Sequence, residues 1–137
     1  MPSLNMPNVD LFSFTVHGDD RGALVALEGH KNIPFDIKRV YYIYNTQPTI
    51  RRGCHAHTKL EQCLICISGD CSVLVDDGKT KQTFRLNQPH EGLLIKGLIW
   101  HELYNFSPGA VVMVLANDYY ENTDYIQSYD EFKKNLK

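Results

Sequence analysis

The chain has 137 residues, 43% of them hydrophobic and 22% charged, with a formal net charge of -2, which suits one compact globular domain and leaves no room for a second. A near-neutral balance, with a pI of about 6.3, argues against general nucleic-acid binding, because a basic face is what neutralises phosphates and releases counterions; a local Lys/Arg cluster can still hold one diphosphate. No stretch reaches the roughly 18 to 20 apolar residues of a membrane span, and the start, Met1-Pro2-Ser3-Leu4-Asn5-Met6, lacks a charged-then-apolar signal pattern, so a cytoplasmic protein is expected.

In chain order, short apolar runs alternate with turn signals, the pattern of antiparallel strands in a sandwich or barrel. The runs at 11–16 and 23–27 are separated by Gly18-Asp19-Asp20, and Asn32-Ile33-Pro34 precedes a third at 38–45. A fourth, at 61–68, stops at Ser68-Gly69-Asp70. Within it Cys63 and Cys66 have the C-x-x-C spacing of a zinc or disulfide pair, and Cys54 and Cys71 bring the count to four. Residues three apart on a strand point to opposite faces, so reduced core thiols are the expectation. Runs at 72–75 and 80–86 flank Asp76-Asp77-Gly78, a hairpin signal because a tight primed turn needs positive φ. Gln88-Pro89 precedes runs at 92–95 and 100–105, and Ser107-Pro108-Gly109 precedes 110–116. That last run has no polar alternation, so both of its faces should be covered, as in a central strand or a dimer contact. Ser128 with Glu131 three residues on matches a capping box, and Tyr129, Phe132 and Leu136 recur at helical spacing, so a short helix is predicted near the C-terminus. Internal repeats, linkers and low-complexity segments are absent from the sequence.

Between the third and fourth runs lies the densest group of titratable residues, Arg51-Arg52-Gly53-Cys54-His55-Ala56-His57-Thr58-Lys59-Leu60-Glu61-Gln62, answered by His101 in Trp100-His101-Glu102. If residues 55–67 form one extended segment, then His55, His57, Lys59, Glu61, Cys63, Ile65 and Ile67 share a face. That face is expected to point into the barrel, with the imidazoles at its mouth, because Cys63, Ile65 and Ile67 need burial. His17, His30 and His90 carry no such pattern and read as structural residues.

The spacing His-x-His-x3-Glu, with Gly69 ending the strand and a second segment Gly97-x3-His101-x3-Asn105, resembles the two-part motif of the cupin superfamily. The resemblance implies an all-β fold, a double-stranded β-helix (cupin jelly roll), here as a single domain over 1–137 with a short C-terminal helix. In many cupins the positions matching His55, His57, Glu61 and His101 hold iron, manganese, zinc or nickel, and three imidazoles with a carboxylate are apt ligands for such ions.

A closer likeness lies in Ile33-Pro34-Phe35-Asp36-Ile37-Lys38-Arg39-Val40-Tyr41-Tyr42-Ile43, in Arg52-Gly53-Cys54-His55-Ala56-His57, in Ile99-Trp100-His101-Glu102, and in Val114-Leu115-Ala116-Asn117-Asp118-Tyr119-Tyr120-Glu121-Asn122-Thr123-Asp124-Tyr125-Ile126. These stretches resemble the dTDP-4-keto-6-deoxyglucose 3,4-ketoisomerases from about Asp20 to Phe132. The resemblance implies an isomerase that moves a keto group from C4 to C3 of a dTDP-linked deoxysugar, on the route to sugars of surface polysaccharides. It also implies catalysis with no metal and no other cofactor, and a homodimer with exchanged N-terminal strands, within about 1–30. Two departures stand out: Cys54 replaces a usual aromatic, and Lys96-Gly97 replaces a usual Gly-Pro. Neither removes an acid or base.

The reaction needs removal of the C3 proton, an enediol or enediolate, and delivery of a proton to C4, with no redox cofactor. Histidine, with a reference pKa of about 6.5, suits both transfers. Matching positions in the family make His55 the carbon base, with His57 and Tyr41 orienting it or shuttling protons between the sugar oxygens. Arg52 and Lys59 are candidate cations for the oxyanion or diphosphate, and Arg21, Glu61 and His101 complete the expected substrate-binding set. One base working from one ring face favours the galacto product, and the pairing of Arg21 with His101 also resembles the galacto-forming branch. No Gly-rich phosphate loop is present, and Tyr41, Tyr42 and Trp100 are equally core or interface aromatics and candidates for stacking on the nucleotide base. A metal-dependent cupin enzyme and a noncatalytic sugar-nucleotide binding protein are the alternatives.

Overall fold

Valine, leucine, isoleucine and aromatic residues between Gly, Asn and Pro turns build the strands that the computed structural model describes over residues 6–136. Residues 1–5, which include most of the segment searched for a signal pattern and the start of the domain and exchanged region, lie outside the described residues, as does 137. The strands are β1 Val9–Ser13, β2 His17–Asp19, β3 Gly22–Leu24, β4 Arg39–Ile43, β5 Arg52–His57, β6 Glu61–Ser68, β7 Cys71–Asp76, β8 Lys81–Leu86, β9 Glu91–Lys96, β10 Trp100–Tyr104, β11 Val111–Ala116 and β12 Tyr125–Ile126. A 3-10 turn at Asn122–Asp124 precedes β12, and the helix α1 spans Tyr129–Lys134.

Two antiparallel five-stranded sheets, ordered β1-β9-β6-β11-β4 and β12-β5-β10-β7-β8, pack as the expected jelly roll, while β2 and β3 form a separate hairpin. Between the sheets lies the main core, to which Leu64, Val73, Val75, Leu93, Ile95, Leu103, Val112 and Val114 contribute. The outer faces are covered as well. Phe14, Ile33 and Phe35 pack on Cys63, Ile65, Leu94 and Leu115 on the back of the first sheet. Phe132 of α1 packs with Ala56, Trp100 and Ile126 on the back of the second. Burial of both faces explains the absence of alternation in β11, which lies between β6 and β4.

The helix is capped as predicted, the Ser128 side chain accepting from the Glu131 backbone N–H at 3.3 Å. Tyr129 pins it to β7 by donating its hydroxyl proton to Asp76 at 2.6 Å. The β7–β8 hairpin turns at Gly78, whose φ is +93°. All four cysteines are free thiols, and Cys63 and Cys66 belong to clusters on opposite faces of β6.

The structure departs from the sequence pattern most where the first strands end early, at 13 and 24, where β12 adds an unexpected strand, and at the two positions that follow. Gly18 and Asp19 lie in β2 rather than in a turn, the chain reversing after Asp19. The segment 55–67 is not one extended strand: residues 58–60 turn, and β5 and β6 belong to different sheets. Crossing between sheets resets the alternation. His55 and His57 face inward in β5, whereas Gln62, Leu64 and Cys66 face inward in β6, so Cys63 and Ile65 are buried on the outer side and Ile67 is 44% exposed.

Candidate active site

The two halves of the histidine motif meet because β5 and β10 are neighbours, with His101 directly opposite His55. Leu103 stands opposite Arg52, so two steps on β10 match three on β5. The extra residue is a β-bulge at Gly53 and Cys54, both with positive φ, +83° and +42°. Without it Arg52 and His55, three apart, would face opposite sides of the sheet. With it, both line one cavity.

That cavity, of about 560 Å³, opens between the sheets and is lined by Tyr41 and Arg39 from β4, Arg52 and His55 from β5, Gln62 from β6 and His101 from β10, among others. The His55 ring stands edge-on to His57 and His101, with centroids 4.8 and 4.7 Å away, and Tyr125 lies 4.8 Å from it. His55 Nδ1 contacts the Gly53 carbonyl oxygen, which can only accept, so Nδ1 carries the hydrogen. Its Nε2 is therefore a free lone pair, buried and without a partner. Burial, opposed by the Gly53 bond, holds this imidazole below its usual pKa, so it is neutral at pH 7.

His57 is buried, with Nδ1 3.3 Å from a carboxylate oxygen of Asp124, within ion-pair reach though off the line of a good hydrogen bond. Burial and His55 push it down to about 4 against the pull of Asp124. The other Asp124 oxygen accepts from the Thr58 backbone N–H at 3.0 Å and from the Thr58 hydroxyl. Against the upward push of burial, these Thr58 bonds and His57 hold the Asp124 carboxyl below its usual value. His101 is pushed down to about 3 by burial and then by the other two histidines. Burial, with Tyr125 nearby, raises Tyr41 to about 12, leaving a protonated phenol in the cavity. The site thus pairs neutral bases with a neutral hydroxyl donor.

Of the expected residues, His55, His57, His101, Tyr41 and Arg52 come together. Three do not. Lys59 is exposed in the β5–β6 turn, because the chain is crossing between sheets there. Glu61 lies on the face opposite Gln62, its backbone N–H donating to Asn117, and does not line the cavity. Arg21 sits in the exposed β2–β3 hairpin, its side chain 86% exposed and paired with Asp19 at 2.7 Å. Sequence reasoning missed Gln62, Arg39, Asp124 and Tyr125. Gln62 was detectable as an amide inside an apolar run; Asp124 was not, since its partner lies 67 residues away in sequence. Ring nitrogens of His55, His57 and His101 lie within 4.8 Å of one another, which fits a three-imidazole donor set for a first-row ion. The carboxylate of the four-ligand pattern, Glu61, is not among them.

Comparison with known proteins shows the family and the fold. A family described as FdtA, WxcM-like, C-terminal, matches residues 7–137. The chain is 55% identical over 116 residues, 85% of this chain and 84% of the relative, to a TDP-4-oxo-6-deoxy-alpha-D-glucose-3,4-oxoisomerase of Aneurinibacillus thermoaerophilus. A 3,4-ketoisomerase from Helicobacter canadensis superposes with a TM-score of 0.92 at 46% identity, covering 94% of this chain and 97% of that one. A histidine-to-asparagine variant of the 3,4-ketoisomerase QdtA from Thermoanaerobacterium thermosaccharolyticum, in complex with TDP-4-keto-6-deoxyglucose, gives 0.94 at 41% identity, covering 96% of each chain.

Proposed function

The chain belongs to the FdtA, WxcM-like family, and we propose that it is a sugar-nucleotide 3,4-ketoisomerase that converts dTDP-4-keto-6-deoxy-D-glucose to a dTDP-3-keto-6-deoxyhexose. One observation carries the mechanism: the buried, unpartnered Nε2 of His55 in a cavity large enough for a hexose. This nitrogen removes the C3 proton, which the C4 carbonyl acidifies. The protonated imidazole then delivers a proton to C4 of the enediol, and the C3 oxygen becomes the carbonyl. Protons on the two oxygens move through the Tyr41 hydroxyl and His57, and the Arg52 guanidinium stabilises negative charge on the enediolate or diphosphate. No hydride or electron leaves the sugar, so no cofactor is required.

In a gluco-configured 4-ketosugar the C3 hydrogen lies on the lower ring face. A single base returning its proton from that face makes the galacto product. Turnover in ordinary and in deuterated water, each followed by proton NMR, tests substrate, proton transfer and configuration. In ordinary water a small H4–H5 coupling is expected, and in deuterated water the H4 signal is lost to deuterium as the protonated imidazole exchanges with solvent; a large diaxial coupling overturns the galacto assignment, and an unchanged substrate overturns the function.

We read the working form as a cytoplasmic homodimer serving deoxysugar and polysaccharide biosynthesis. Support for a dimer comes from apolar side chains left exposed on the β2–β3 hairpin and the edge strand β4, Leu24, Val40 and Tyr42 among them. Exchange of the N-terminal hairpin is the route by which Arg21 reaches a cavity, that of a second copy. Among the described residues no helix is long and apolar enough to cross a membrane. The three-imidazole cluster favours one other reading, a metal-dependent isomerase or oxygenase. Elemental analysis of chelator-treated protein separates the two: full turnover at substoichiometric metal supports the metal-free reaction, and stoichiometric iron or manganese with chelator-sensitive turnover overturns it.

A further inference from the structure

Gln62 is an amide in an apolar strand, 1% exposed, flanked on the neighbouring strands by Ile95 and Ala116. Two other buried polar side chains have protein partners for their oxygens: Ser72 accepts from Arg85, and Asp76 accepts from the Gly78 backbone and Tyr129. The Gln62 side-chain oxygen has none. A leucine or valine at this inward position would continue the core of Leu64 and Val114, so a buried acceptor with no protein partner is a liability to the fold. Its place is on the wall of the cavity that holds His55, on the sheet facing the histidine strands.

Resting on the ketoisomerase reading, we propose that the Gln62 carboxamide recognises the reacting α-hydroxyketone, bonding the C3 and C4 oxygens of the sugar side by side. A carboxamide offers one accepting oxygen and a donating NH2 group in one plane. The substrate presents the complement, a carbonyl that accepts beside a hydroxyl that donates. Isomerisation exchanges the two roles. A half-turn of the terminal amide restores the match with product, so one residue serves both ends of the reaction. In the enediolate the NH2 group donates to the developing oxyanion. Gln62 makes and breaks no bond to carbon; the proton goes from C3 to His55 and on to C4.

The test compares wild type with Gln62→Leu and Gln62→Glu, measuring kcat/KM for TDP-4-keto-6-deoxyglucose, the Kd for TDP alone, and Tm. Gln62→Leu is expected to lower kcat/KM about 100-fold while TDP affinity stays within about twofold and Tm does not fall, because the sugar contact is lost and the nucleotide contacts are untouched. Gln62→Glu, which accepts but cannot donate when ionised, is expected to lose at least as much. If Gln62→Leu does not fold, Gln62→Met carries the same expectation. Wild-type kcat/KM in a folded Leu or Met variant overturns the assignment, as does a loss of TDP affinity equal to the loss of kcat/KM. Wild-type protein that turns over no keto sugar overturns the proposed function and this assignment with it; an active wild type matched by an active variant overturns the assignment alone.

Discussion

At the scale of single residues, the roles proposed for the histidines rest on what each ring nitrogen touches. His55 has one nitrogen occupied by Gly53 and the other free, so His55→Asn is expected to cut turnover by about 10²- to 10⁴-fold with the fold intact, since the asparagine amide nitrogen can stand in for Nδ1 and donate to Gly53. Steady-state kinetics beside a melting curve checks this. On the proposed mechanism Asp124 acts at one remove, its carboxylate 3.3 Å from Nδ1 of His57 while Thr58 holds the other oxygen. Asp124→Asn is expected to lower kcat more than KM, by about tenfold, roughly 1.4 kcal/mol of barrier, and to shift the acid limb of the kcat profile. A pH–rate series is the measurement; equal profiles in both proteins would remove Asp124 from the proton path. Titration has a clear sign here. The base must be neutral, and burial lowers its pKa, so activity persists below pH 6.5 before falling.

Among the elements, the β5 bulge does most to make the site. It depends on Gly53, whose φ of +83° suits glycine, and a Cβ there would lie 3.3 Å from the Leu103 side chain and 3.4 Å from the His101 carbonyl oxygen. Gly53→Val combines the left-handed strain of a β-branched residue with that contact. It is expected to destabilise by about 1–3 kcal/mol and to lower kcat/KM beyond what the fraction folded explains, because Arg52 and His55 lose their common face. Urea unfolding beside kinetics separates the two effects. The C-terminal helix is a lid on the back of the same sheet, anchored by buried Phe132 and the Tyr129–Asp76 bond. Phe132→Ala is expected to cost about 3–5 kcal/mol, visible as a lower urea midpoint.

For the molecule as a whole, burying three neutral imidazoles makes folding pH-dependent. The folded values of His57 and His101, about 4 and about 3, lie below the 6.5 of the unfolded chain. Between pH 6.5 and about 4 the unfolded state therefore binds protons that the folded state refuses, and stability must fall as pH falls through that window. Urea midpoints at pH 7, 6 and 5 should decrease in that order; a flat series would mean that these rings are solvated. Much of this was legible in the linear chain. The antiparallel fold, the DG hairpin, the capped helix, the covered strand 111–116 and the histidine cluster follow from local chemistry, because turn residues, caps and apolar runs act within a few positions of themselves. What the chain could not reveal was phase. A three-residue turn between sheets moved Glu61 and Lys59 off the site and Gln62 onto it, and a one-residue bulge brought Arg52 in. Side-chain direction reverses with every residue, so a single inserted or skipped position decides which face each group serves, and only the tertiary pairing of strands, which also brings Asp124 to His57 by laying β12 against β5, sets that count.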